Sequence, residues 1–170
     1  MITEDVILSQ SKNVYDYEPI FEGLIADFGY FYYHAILKWC GILKKTKEEE
    51  GRFWEVFLIK NKEEIIGICG LYSQYQNSAE ELWLGWFGIL PDKRNSGIGA
   101  IVLNKIEAEA RKVGCKRIYS YVDVAGAPLN FYYRNGFKRT SSVGEYLALH
   151  PEVSKENFEK MDDYVIVKEI

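Results

Sequence analysis

Histidine is scarce in this chain of 170 residues, with only His34 and His150 present. A Ser-His-Asp triad or a histidine-built metal centre has little to draw on. Cysteine is scarce too. Cys40, Cys69 and Cys115 make an odd count without CxxC spacing, which argues against a disulfide framework and a zinc site. No metal is expected, and the thiols read as reduced, in a cytoplasmic protein. Prolines number four, and no repeat, low-complexity tract or Pro/Gly-rich linker interrupts the chain, so a single domain over residues 1–170 is expected. No apolar stretch is long enough to cross a bilayer. The opening MITEDVILSQ has acids and no long apolar run after a basic start, unlike a signal peptide. Positive charge is not in excess: the formal net charge is −4, which disfavours a broad phosphate-backbone binder. Neither nucleic acid nor membrane is expected as a partner.

What is present reads as an ordered series of elements. Ile7 and Leu8 start a short strand. Pro19 to Phe28 reads as a helix, with Ile20, Leu24 and Ile25 on one face. A second helix is expected from Tyr30 to Leu43, weakened near its end by Gly41. Lys44 to Gly51 is a charged connection. Phe53 to Lys60 and Ile65 to Tyr75 are β-rich, joined by a polar turn over 61–64. Glu81 to Leu90 is a third strand, stopped by Pro91, which has no N–H to donate. Gly97 to Val113 is the strongest helix. Ile98, Val102, Ile106, Ala110 and Val113 recur on one face at helical spacing, and Gly114 stands where a C-terminal cap belongs. Lys116 to Val122 is a strand and Pro128 to Asn135 a short helix. Phe137 to Thr140 and Tyr164 to Ile170 are strands, with a polar, partly helical excursion between them. Antiparallel pairs followed by a strand–helix–strand crossover imply an α/β fold, a mixed sheet covered by helices.

Chemistry is concentrated at Pro91-Asp92-Lys93-Arg94-Asn95-Ser96-Gly97-Ile98-Gly99-Ala100. A turn from a strand into a long helix leaves the first amides without acceptors. Those N–H groups and the positive end of the helix dipole form an anion site. Gly97 and Gly99 remove Cβ atoms where a diphosphate must approach, and Arg94 adds a bidentate cation. The P-loop string GxxxxGK[ST] is absent. The dinucleotide string GxGxxG lacks its third glycine.

The string Arg94-x-x-Gly97-x-Gly99-Ala100 resembles the acetyl-CoA signature of the GNAT superfamily of N-acetyltransferases. Asn130-Phe131-Tyr132-Tyr133-Arg134-Asn135-Gly136-Phe137 resembles that family's LYEKLGF segment, and Asp163 to Lys168 looks like its last strand. The resemblance implies a mostly antiparallel sheet with one splayed parallel pair and helices on both faces. It implies acetyl-CoA as cosubstrate, held by the amides of Asn95, Ser96, Gly97, Ile98, Gly99 and Ala100 and by Arg94, with its pantetheine arm along the backbone of Phe87 and Ile89. Tyr132 is the implied general acid. Gly85 and Gly88 suggest a bulge that opens the cleft. Some members place a glutamate where this chain has Trp83, so the base is not carried over; Glu80, Glu81 and Asp123 are the local carboxylates, with Glu81 taken as the base. The family's asparagine seven positions before the tyrosine is Ala125 here, and Ser96 replaces its glycine or basic residue.

The implied reaction is N-acetyl transfer to a primary amine of a small molecule, polyamine, lysine side chain or protein N-terminus. The implied partner is a small-molecule or peptide amine, and a homodimer is compatible with the family. Phe28, Tyr30, Phe31, Tyr32, Tyr33 and Trp39 would wall the acceptor side, where rings can hold a cation, although most of them suit helix packing. Two alternatives stay open: a CoA-binding regulatory module of the same fold, and a nucleotide- or dinucleotide-dependent enzyme using the same anion site.

Overall fold

The computed structural model describes residues 5–28, 31–47, 49–76, 80–122, 127–142 and 164–170. Among them the elements run β1 (Val6–Ser9), α1 (Glu18–Phe28), α2 (Phe31–Trp39), β2 (Arg52–Asn61), β3 (Glu64–Gln76), β4 (Glu81–Ile89), α3 (Ile98–Lys112), β5 (Arg117–Val122), α4 (Ala127–Arg134), β6 (Lys138–Ser142) and β7 (Tyr164–Glu169). The strands form one sheet in the order β1-β2-β3-β4-β5-β7-β6. Every neighbouring pair is antiparallel except β4 and β5, which are parallel. The expected mixed sheet is therefore present. No helix of the described residues is long and apolar enough to cross a membrane.

Alternation along β2 sets the two layers. Phe57 and Ile59 point to the face covered by α3 and α4, with Ile98, Val102, Leu103, Ile106 and Tyr132. Val56 and Leu58 point to the face covered by α1 and α2, with Ile20, Leu24 and Ile36. Each such side chain, fully buried, contributes about 1.5–3 kcal/mol.

Local chemistry accounts for the element ends. The β2–β3 turn closes over Lys62 and Glu63, with Lys62 in the left-handed region at φ 56°. A 3-10 turn at Val14–Tyr17, absent from the sequence reading, leads into α1; the Asn13 side chain caps it by accepting from the Tyr15 amide. α2 ends at Trp39 rather than Leu43. Gly41, at φ 77°, turns the chain so that the amides of Ile42 and Leu43 bond the Leu37 carbonyl. The expected excursion between β6 and β7 lies outside the described residues.

The feature that shapes the site is in β4. Ile68 pairs with Gly88 and Gly70 with Gly85, so Cys69 alone faces both Trp86 and Phe87. This one-residue excess is a β-bulge. Trp86 takes φ 52°, and the alternation slips. Phe87 points to α4, with Phe131 at 6.0 Å. Trp86 instead joins the α1/α2 face and stacks 5.4 Å from both Trp54 and Tyr72. Gly70 makes that possible, since a Cβ there would collide with the Trp86 ring. The β4–β5 pairing stops at Trp83 and Tyr119, just before the bulge. An ion pair from the buried Glu107 of α3 to the half-buried Lys168 ties this helix to β7.

Gly70→Ala should therefore destabilise the protein by about 1–3 kcal/mol through overpacking against Trp86. Urea unfolding of the two proteins measures it.

Candidate active site

β4 ends where the Leu90 amide makes its last sheet bond, to the Ile66 carbonyl at 2.9 Å. Pro91 then opens a 3-10 turn over Pro91–Lys93. Lys93 pins this turn to the β2–β3 hairpin through Glu64, at 2.8 Å. Ser96 Oγ donates back to the Lys93 carbonyl at 2.9 Å. Asn95 at φ 60° and Gly97 at φ 81° both take left-handed conformations, and the chain enters α3. No side chain caps this helix. Its first intrahelical bond runs from the Ile101 amide to the Gly97 carbonyl, at 3.4 Å. The amides of Ile98, Gly99 and Ala100 thus have no helical acceptor, as an anion site requires.

The two glycines serve different ends. Gly97 needs its positive φ, and a Cβ there would meet nothing within 4 Å. Gly99 has a packing reason: a Cβ would come 3.1 Å from the Phe131 ring of α4. Arg94 stays at this loop. Its Nε donates to the Ile89 carbonyl at 2.7 Å, which ties its guanidinium to the end of β4.

Tyr132 projects from α4 into the fork where β4 and β5 part. It is 8% exposed, edge-on to Phe131 at 5.3 Å and to Phe137 at 5.2 Å. Its hydroxyl bonds that of Ser120 on β5. Ser120 Oγ in turn donates to the Leu84 carbonyl of β4 at 3.1 Å. With the serine proton committed there, the tyrosine O–H is the donor to Ser120. Burial pushes the Tyr132 phenol up to about 12, and the Ser120 hydroxyl, which can turn to face a phenolate, opposes that rise. Tyr132 is thus a protonated donor at neutral pH. Ser120 was not singled out in the sequence. Its only signal is one small hydroxyl within the aromatic strand Ile118-Tyr119-Ser120-Tyr121.

The remaining candidates are placed as follows. Trp83 is buried and stacks on Tyr119 at 5.1 Å and Tyr121 at 4.3 Å, so no carboxylate replaces it at that point. Glu80 pairs with Lys116 at 2.8 Å and Glu81 with Arg117 at 3.2 Å. Both stand at the start of β4, and Glu81 is about 16 Å along the strand from the bulge. Trp39 donates from its indole to the Ser11 carbonyl at 2.7 Å, and Tyr33 packs edge-on to Phe21 at 5.2 Å. These two act as helix packing. The side chains of Phe28, Tyr30, Phe31 and Tyr32, and Asp123, Ala125 and His150, lie outside the described residues.

Known proteins share the fold. No curated protein matches the chain in sequence. Among solved structures, a GNAT family acetyltransferase from Elizabethkingia anophelis with acetyl-CoA bound is 22% identical, with a TM-score of 0.53, over 69% of this chain and 76% of that one. The PaiA N-acetyltransferase of Thermoplasma acidophilum, in complex with coenzyme A, is 16% identical with a TM-score of 0.62, over 97% and 99%. A spermidine N-acetyltransferase SpeG chimera from Vibrio cholerae and hSSAT is 14% identical with a TM-score of 0.67, over 98% and 96%. At these identities the likeness is one of fold. The model of the acetyltransferase (GNAT) family matches residues 16–137, which include the bulge, the amides at the start of α3 and Tyr132. The chain belongs to the acetyltransferase (GNAT) family.

Proposed function

We propose that the protein is an acetyl-CoA-dependent N-acetyltransferase acting on a primary amine in the cytoplasm. The observation that carries this reading is the alignment of three features along β4: free amides at one end, a bulge in the middle, and the Tyr132 hydroxyl in the fork beside it. Family membership favours acyl transfer over a dinucleotide reading of the same loop.

The amides of Ile98, Gly99 and Ala100 would take the diphosphate of CoA, joined by those of the exposed Asn95, Ser96 and Gly97, with Arg94 beside them. Open space at the Gly97 Cβ position suits a close approach by phosphate. Beyond Trp83, the edge of β4 facing β5 has no strand partner among the described residues. An extended pantetheine arm can add there as a strand would, along Phe87 and Ile89. The Ile89 carbonyl gives one lone pair to Arg94 and keeps one. The acetyl-CoA and CoA bound in two of the similar structures support that donor.

An alkyl ammonium ion, with a pKa of about 10.4, must first lose its proton to attack the thioester carbonyl. Water takes that proton, and Glu81, on the same face of β4 as Trp83 and Gly85, is its more distant acceptor. A backbone N–H within the bulge faces the charge that develops on the carbonyl oxygen. Tyr132 gives its proton to the departing sulfur. Holding both reactants in the fork supplies much of the rate.

Tyr132→Phe should lower turnover by about 100-fold with acetyl-CoA affinity nearly unchanged. Free-thiol release across an amine panel, beside thermal shift with acetyl-CoA, measures both. Binding without turnover in the wild type would instead fit a regulatory module.

Tyr132 also makes a pH prediction. In the fold it keeps its proton up to about 12, against about 10 in an unfolded chain. The fold thus favours the protonated form. That contribution is complete below about pH 10 and is lost as pH rises through about 12. Wild type should lose stability relative to Tyr132→Phe across that window and not between about pH 6 and 9. Urea titrations at stepped pH check it.

A further inference from the structure

Even-numbered side chains of β2 face α1 and α2, and two of them end in donors that have no acceptor among the described residues. Arg52 Nε and Trp54 Nε1 are both buried and unbonded. Such orphans oppose folding and call for an explanation. These two are second neighbours on one strand, about 7 Å apart along it. Among the described residues no ion pair reaches Arg52.

Their surroundings are positive and aromatic. Lys45 Nζ stands 5.7 Å over the Trp54 ring. Tyr72 lies 6.1 Å from Trp54, and its hydroxyl feels the Arg52 charge, which works against the effect of burial on the phenol. Two of the described acids are engaged elsewhere. Glu49 holds Lys38 and accepts from the Thr46 amide. Glu55 points to the other face, toward Glu109 and Lys112 of α3. A concentration of cations and N–H donors is thus built into a chain of net charge −4.

The platform connects to the reaction site. Trp86, re-aimed by the bulge, stacks on Trp54 and Tyr72 at 5.4 Å. A ligand bound at Arg52 would therefore lie along a ring surface that ends at the bulge. Arg52 and Lys45 would repel a purely cationic acceptor there. A carboxylate fits: it has no donors of its own, and its planar pair of oxygens matches a guanidinium edge and an indole N–H.

We propose that Arg52 and the Trp54 indole form the recognition site for a carboxylate on the acceptor, so that the acceptor class is an amine carrying a carboxylate, as in an amino acid. This rests on the acyl-transfer reading above.

The test is thiol release from acetyl-CoA with matched acceptors, amino acids against their amides and decarboxylated analogues. Wild type should prefer the carboxylate member by about tenfold or more in kcat/KM. Arg52→Gln should narrow that ratio to under about twofold, and Arg52→Lys should keep part of it, having charge without the fork. The wild-type ratio stands alone if a variant does not fold. A wild-type preference for the carboxylate-free member, or an equal fall with both members in Arg52→Gln, overturns the site. Absence of turnover with both series overturns this inference, and absence across the whole amine panel overturns acyl transfer itself.

Discussion

Parallel strands stay together only while their slanted hydrogen bonds continue. β4 and β5 lose theirs after Trp83 and Tyr119. The extra residue at Trp86–Phe87 then bends β4 away, while its other edge stays paired to β3. The consequences follow from that geometry. Among the described residues, an edge of backbone is left without a strand partner toward β5. Ser120 Oγ replaces the missing ladder bond by donating to the Leu84 carbonyl. Phe87 and Trp86 are sent to opposite faces, one toward α4 and the other toward Trp54 and Tyr72. In the proposed reaction the bulge thus divides the protein into a donor side, where α3 presents its free amides, and an acceptor side floored by aromatic rings.

The two sides differ in electrostatics as their tasks require. At the start of α3 the charge comes from backbone dipoles that cannot be titrated away. Within the fork, burial keeps the Tyr132 proton in place, and the Ser120 hydroxyl works against that effect. At Trp54, the Lys45 cation and the unmet donors of Arg52 and Trp54 would favour the negatively charged group proposed above.

Much of this was legible in the order of residues, and the rest was not for physical reasons. The spacing of Ile98, Val102, Ile106 and Ala110 marks α3 because a helix repeats its face every 3.6 residues. Pro91 marks the end of β4 because it lacks a donor. The pairing of β7 between β5 and β6 is non-local, and no local pattern encodes it. Gly41 stops α2 four residues earlier than the apolar pattern suggested, since a left-handed turn satisfies its last carbonyls. Gly85 and Gly88 signalled a bulge, yet the residue it re-aims is Trp86, because alternation cannot tell where the slip falls. Gly99, read as a point of phosphate approach, has a second reason that no local pattern shows: it makes room for Phe131. Tyr132 was found by motif, whereas Ser120, Arg52 and Trp54 were invisible: each acquires meaning only from what it bonds or fails to bond.

The account turns on whether the fork between β4 and β5 receives CoA with its diphosphate on the start of α3. Titrating the isotopically labelled protein with CoA and following its backbone amide resonances addresses this residue by residue. The account predicts that the amides of Gly97 to Ala100 move together with those of Phe87 and Ile89, and saturate at one CoA concentration. Saturable binding that leaves the amides at the start of α3 unmoved would contradict it.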